Sequence, residues 1–232
     1  MQSDISQSGQ LYAVLGWLEK NRKQIISAAV IITVVGIVVA FVLWRKQQKA
    51  IAAGEAVSAM TLSAAQGNVG AADWLKVAAE TSGTDAGARA LLTAAGDQFV
   101  DGKIADAQAS FQKFLTEYDG SALTPQAKYG IAVCLLAQGK TNEALPAFKE
   151  IVDRFASANV VIPAKYSLAQ LYQAGGKLEQ ARDLYMDLAH DPQNTYGSEA
   201  MNQLNELFKA NPKLRPSPAA STPVAPTLTP AK

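Results

Sequence analysis

A single histidine and a single cysteine in 232 residues leave little material for chemistry. A lone His can neither build a multi-histidine metal site nor be matched with an evident nucleophile, and a lone Cys builds neither a disulfide framework nor a thiolate cluster. His190 falls at the end of a predicted helix beside Asp191-Pro192, where it serves as a solvated or helix-complementing group. Cys134 sits inside "GIAVCLLAQG" and reads as a buried small hydrophobe rather than a reactive thiol. The acidic residues are scattered without a facing pair, and Gly175-Gly176-Lys177 lacks the spacing of a phosphate-binding loop. No catalytic, cofactor-binding or metal-ligating residue is therefore assigned, and the chain is predicted not to be an enzyme. An excess of positive charge is missing too. Residues 46–210 hold 14 Lys plus Arg against 18 Asp plus Glu, a formal −4. A nucleic-acid binder needs a basic face that exchanges counterions with phosphate, so nucleic acid is excluded as a partner.

What is present divides sharply. Residues 25–44 contain no charge and only Ser27 and Thr33 as polar interruptions, with Arg22 and Lys23 before them and Arg45 and Lys46 after. Twenty residues rising about 1.5 Å each span a hydrocarbon layer of about 30 Å. The run is too long for a signal-peptide core and has no small-x-small cleavage site before Arg45-Lys46. It is predicted to be a transmembrane helix behind a short N-terminal tail, residues 1–24, and to place the chain at a lipid bilayer. Each flank carries three cations, Lys20, Arg22 and Lys23 against Arg45, Lys46 and Lys49, so the charge count does not orient it. Ala29, Thr33, Gly36 and Ala40 recur at steps of four, three and four, a stripe of small side chains that is a candidate helix-packing face.

Residues 45–210 repeat. Gly102, Gly139 and Gly176 lie 37 residues apart, each followed by Lys. Five residues on come Ala107, Ala144 and Ala181; four further, Phe111, Phe148 and Tyr185; three further, Phe114, Ile151 and Leu188. Upstream of each glycine stands a small residue, Ala95, Ala132 or Ala169. Spacings of three and four place these residues on one helical face, and the Gly-Lys step supplies a turn, so each unit reads as a helix-turn-helix hairpin. One hairpin cannot bury that face alone, which is why such units stack. Three repeats are placed at about 88–118, 125–155 and 162–190. Stepping back 37 residues finds Trp74, Ser58 and Val77, with Gly67-Asn68 at the turn, hence a degenerate hairpin at 47–81 continuing from the membrane helix. Met201, Leu204, Leu207 and Phe208 give a capping helix at 198–210. Pro146 is placed in the first turn of a second helix, where proline is tolerated. From residue 211 the chain holds six of its ten prolines and few large apolar groups, so 211–232 is predicted to be a disordered or polyproline-like tail.

The small-Ala-aromatic pattern resembles the tetratricopeptide repeat, with Ala132, Ala144 and Phe148, then Ala169, Ala181 and Tyr185, at the matching positions. The departures are a period of 37 and the absence of the proline near the unit's end. The resemblance implies an all-α fold, an N-terminal transmembrane helix followed by a helical-hairpin array. The arrangement from "LYAVLGWLEKNRKQI" through the apolar helix into a degenerate array is similar to the bacterial family of membrane-anchored TPR-like proteins that includes the ancillary Sec translocon subunit. That resemblance implies a single-pass inner-membrane protein with a cytoplasmic N-terminus and a periplasmic array. The implied partners are translocon subunits, periplasmic chaperones or exported polypeptides. Carrying over groove-facing positions selects Arg89 and Leu92, then Tyr129, Val133 and Leu136, then Tyr166, Gln170 and Gln173. Tyr129 and Val133 stand where some TPR modules place a basic-plus-Asn clamp for a terminal carboxylate, so a neutral aromatic groove for extended apolar segments is expected instead. The alternative role for the tyrosines is packing between hairpins. The alternative function is a scaffold for cell-envelope assembly or division complexes, with the Pro-rich tail reaching towards another layer.

Overall fold

The computed structural model describes residue 17 and residues 20–67, 69–190 and 194–215, and these form helices and turns without a strand. Asn68, most of the N-terminal tail, the Asp191-Pro192 pair beside His190 and residues 216–232 of the Pro-rich tail lie outside the described residues. Helix α1 (Arg22–Ala64) is a single 43-residue helix that runs through the apolar stretch and on into the first hairpin. At about 1.5 Å per residue it is about 65 Å long, roughly twice the hydrocarbon thickness of a bilayer. The chain therefore has one helix, among the described residues, long and apolar enough to cross a membrane. Its apolar half turns side chains such as Ile32, Val38 and Leu43 outward on every side, whereas its second half buries Ala53 and half-buries Val57 and Met60.

The remaining helices are α2 (Ala71–Glu80), α3 (Asp85–Val100), α4 (Ile104–Glu117), α5 (Thr124–Ala137), α6 (Thr141–Arg154), α7 (Val161–Ala174), α8 (Leu178–Ala189) and α9 (Gly197–Ala210). From α2 onward each helix packs against its neighbour in sequence, which gives the hairpins α3–α4, α5–α6 and α7–α8 closed by α9, while α1 touches both α2 and α3 and meets α3 more extensively. The three Gly-Lys turns are built alike. Gly102, Gly139 and Gly176 have φ of 77°, 73° and 72°, the left-handed region where a side chain would be strained. The following lysine N–H closes each turn, from Lys103 to the Gln98 carbonyl at 2.8 Å, Lys140 to Leu135 at 2.9 Å and Lys177 to Tyr172 at 2.8 Å. This closure satisfies carbonyls that a helix end leaves open and reverses the chain in three residues. Thr84 caps the start of α3 by accepting the Gly87 N–H at 3.1 Å, and Pro125 opens α5 where its missing N–H costs nothing.

The small residues flanking each turn, Ala95 with Ala107, Ala132 with Ala144 and Ala169 with Ala181, are fully buried, so paired helices approach closely there. Phe111, Phe148 and Tyr185 fill the space beyond them. The Tyr185 hydroxyl, which the two phenylalanines lack, donates to Gln173 Oε1 at 2.9 Å and so escapes the cost of an unpaired buried hydroxyl. Two ion pairs repeat at the 37-residue step: Lys128 with Glu150 at 2.9 Å, and Lys165 with Asp187 at 2.6 Å, each joining the two helices of one hairpin. Partly exposed pairs of this kind contribute about 0–1 kcal/mol, so they mark register more than they stabilise.

One local expectation is corrected. Pro146 is the sixth residue of α6, beyond the first turn, and it is exposed. Its missing N–H would have met the Asn142 carbonyl, which belongs to an exposed residue and can turn to water, so the helix continues past it.

Candidate protein-binding groove

The residues proposed to line the groove belong to the first helices of successive hairpins: Arg89 and Leu92 on α3, Tyr129, Val133 and Leu136 on α5, Tyr166, Gln170 and Gln173 on α7. Arg89 and Gln170 are exposed, and the other six are half-buried. The rings of Tyr129 and Tyr166 rest on the aromatic of their own hairpin's second helix. Tyr129 meets Phe148 edge-on at 5.9 Å between centroids, and Tyr166 meets Tyr185 at 6.1 Å. Packing and exposure thus coexist in the same side chain, with one ring face held by the core and the remainder open. Gln173 is turned inward by its bond to Tyr185, which occupies its amide oxygen.

A third tyrosine joins the row. Tyr196 precedes α9 and lies 5.0 Å from Tyr166 between ring centroids, tilted by 35°, and the Tyr166 hydroxyl lies 3.3 Å from Glu199 Oε1. Asn194 fixes that position by donating to the Leu188 carbonyl at 2.7 Å and accepting the Tyr196 N–H at 2.6 Å. Tyr196 lies 30 residues after Tyr166, off the 37-residue step, so the repeat did not reveal it. Burial pushes the Tyr129 phenol above its ordinary range, with Tyr196 adding to the rise and hydrogen bonding with Ser167 opposing it. Burial likewise raises Tyr166, helped by the Glu199 carboxylate. The row presents ring faces and hydroxyls, with the Glu199 carboxylate at its edge.

At the other end of the array Arg89 borders two clefts. One, of about 340 Å³, lies between α1 and α3 and includes Gly54, Val57 and Ser58. The other, of about 520 Å³, is bounded by the chain from Glu117 to Leu123. The stripe of Ala29, Thr33, Gly36 and Ala40 is exposed along α1, and Thr33 Oγ1 donates to the Ala29 carbonyl at 2.8 Å, so this hydroxyl is satisfied within its own helix.

Cys134 is fully buried, and burial pushes its thiol up to about 11. His190 ends α8 with Nδ1 2.7 Å from the Met186 carbonyl, capping the helix. Among the described residues no group of His, Cys, Asp or Glu is arranged to hold a metal ion. The raised thiol carries a pH consequence. Its folded-state value lies above the unfolded one, so its contribution to stability is complete below about pH 9 and is lost as pH rises through about 11. Tyr185, pushed by burial up to about 12, extends that loss to higher pH. Urea midpoints are expected to hold through neutral pH and to fall from about pH 9 upward. Cys134→Ala should flatten the first part of that fall, and an identical slope in the variant would contradict the assignment.

The tetratricopeptide repeat-like domain model matches residues 16–207, most of the chain. Among solved structures, nearly identical TPR-like repeats of a Podosopora anserina protein designated a kinesin light chain superpose with a TM-score of 0.50 at 14% identity, covering 73% of this chain and 88% of that one. A point-substituted form of the same repeats gives a TM-score of 0.51 at 14% identity, with coverage of 73% and 87%. At such identity the likeness establishes the fold alone. No curated protein matches the sequence.

Proposed function

This chain belongs to the tetratricopeptide repeat-like domain family, and from that premise we propose that it is a membrane-anchored protein-interaction module without catalytic activity of its own. The observation that carries the reading is the continuity of α1, which leaves its apolar half uncovered and packs one face of its other half, through Ala53, Val57 and Met60, against the repeat array. A helix so divided tethers the array to the bilayer surface. The array in turn offers a row of half-exposed aromatics, Tyr129, Tyr166 and Tyr196, on the first-helix side where stacked hairpins present a concave face. Residues 25–44 form the span, residues 45–210 the array, and Ala29, Thr33, Gly36 and Ala40 the face on which another membrane helix can pack.

The finer reading follows the similarity to the ancillary Sec translocon subunit family. The N-terminus is cytoplasmic, the array periplasmic, and the groove contacts translocon subunits, chaperones or exported chains in the bacterial inner membrane. Neutral aromatic grooves favour extended apolar segments, which exported chains expose before folding. Protease added to spheroplasts tests the arrangement. The array should be degraded once the outer barrier is opened while the inner membrane is intact. Protection until lysis would place it in the cytoplasm and remove the export setting.

A further inference from the structure

Beyond the tethering itself, the end of the apolar run forms a cleft that the groove does not use. Its floor is one face of α1, where Val42, Arg45, Lys46 and Lys49 succeed one another at helical spacing, and its far wall is the α2–α3 turn at Ser82 and Gly83. It encloses about 870 Å³. Lys49 Nζ donates to the Ser82 carbonyl at 2.9 Å, a bond across 33 residues that locks the turn of the array over the helix. The Arg45 guanidinium stands 5.8 Å from the Phe41 ring centroid. Among the described residues, neither Arg45, Lys46 nor Lys49 lies within ion-pair distance of a carboxylate. Three cations thus line an open cleft at the level where the charge-free run ends, with exposed Val42 and Trp44 on its apolar side.

We propose that this cleft is a binding site for the phosphate of an anionic phospholipid, whose acyl chains lie along Val42 and Trp44. The two flanks of the span carry equal numbers of cations, so these three add no net orientation signal by count. Residues 50–210, beyond these cations, hold 12 Lys plus Arg against 18 Asp plus Glu, a formal −6, so an anionic bilayer repels the array unless cations intervene at the contact. The cleft provides that contact and holds the array against the surface through the turn locked by Lys49. A free phosphate lacks the chains that the apolar wall would meet, which favours the lipid as the source.

The inference rests on the membrane reading above, and the test separates the two. The full chain is reconstituted with equal amounts of phosphatidylglycerol and phosphatidylcholine, re-extracted in mild detergent and its retained lipids counted by native mass spectrometry. The wild type should retain phosphatidylglycerol selectively. R45Q/K46Q, which spares the bond from Lys49, should lose about thirtyfold of that selectivity, as two charges near an anionic surface imply. R45Q or K46Q alone should fall between the two. Flotation with vesicles of phosphatidylcholine alone reads the anchor by itself, and all forms should float. Equal selectivity in floating wild type and R45Q/K46Q would overturn the cleft and leave the anchor standing. Failure of every form to float would overturn the membrane reading and the cleft with it. Displacement of retained phosphatidylglycerol by millimolar inorganic phosphate would make free phosphate the ligand and overturn the lipid assignment.

Discussion

Phe148→Ala is expected to lower stability by about 3–5 kcal/mol, the range for emptying a buried aromatic site. The ring is fully buried, shares a core with Ala132, Ala144 and Ile151, and supports Tyr129 from beneath. Against a typical total of about 5–15 kcal/mol this is a large share. For a chain of this size it corresponds to a fall in Tm of about 6–20 °C. The position is central, between hairpins α3–α4 and α7–α8, and stacked repeats are held mainly by nearest-neighbour contacts. Limited proteolysis should accordingly open the array near α6 before either end. Phe148→Leu, which keeps most of the volume, should recover more than half of the loss. A change in Tm below about 2 °C for the alanine variant would mean that the ring does not hold the stack.

Gly130→Ala carries a sharper expectation because its sign opposes the usual rule. In a helix interior Ala is ordinarily favoured over Gly by about 1 kcal/mol. Gly130 lies within α5, but a Cβ there would fall 2.4 Å from Phe111 Cζ and 2.5 Å from Cε2, inside any real contact distance. Phe111 is itself buried between the hairpins, so the ring has little room to withdraw. Overpacking of this kind costs about 1–3 kcal/mol, enough to exceed the gain in helix propensity. Phe111→Leu in the Gly130→Ala background should recover part of the loss, and the double-mutant cycle should show coupling above about 0.5 kcal/mol. A Gly130→Ala protein more stable than wild type in urea would contradict the contact.

Gly130 also illustrates what a single sequence conceals. Its place in "AKYGIAV" marks it as a weak helix former, yet only the neighbouring hairpin supplies the ring that requires it. The hairpins were legible because their turns need a residue at positive φ and their close contacts need Ala, two constraints that recur every 37 residues in Gly102, Gly139 and Gly176 and the alanines around them. The same step carries Lys128–Glu150 and Lys165–Asp187, a charge pairing that repeat-aware reading could have found. Tyr129 and Tyr166 are selected through the resemblance to the tetratricopeptide repeat, which gives no position for Tyr196, since it enters the row from the loop that Asn194 folds. Nor does any proline or turn signal between residues 45 and 64 say whether the span and the first hairpin are one rod; burial of Ala53 and the tie from Lys49 to Ser82 are tertiary facts.

The most direct test of the proposed role is site-resolved photocrosslinking in intact cells. A photoreactive residue at Gln170, exposed beside the tyrosine row, is compared with one at Lys149, exposed on the second helix α6. Adducts with defined protein partners are expected from position 170, to be lost when Tyr129 and Tyr166 are replaced by alanine in a chain that still floats with membranes, and to be absent from position 149. Equal adducts from both positions, or none from position 170 in a folded and membrane-bound chain, would contradict the groove as the working surface of this protein.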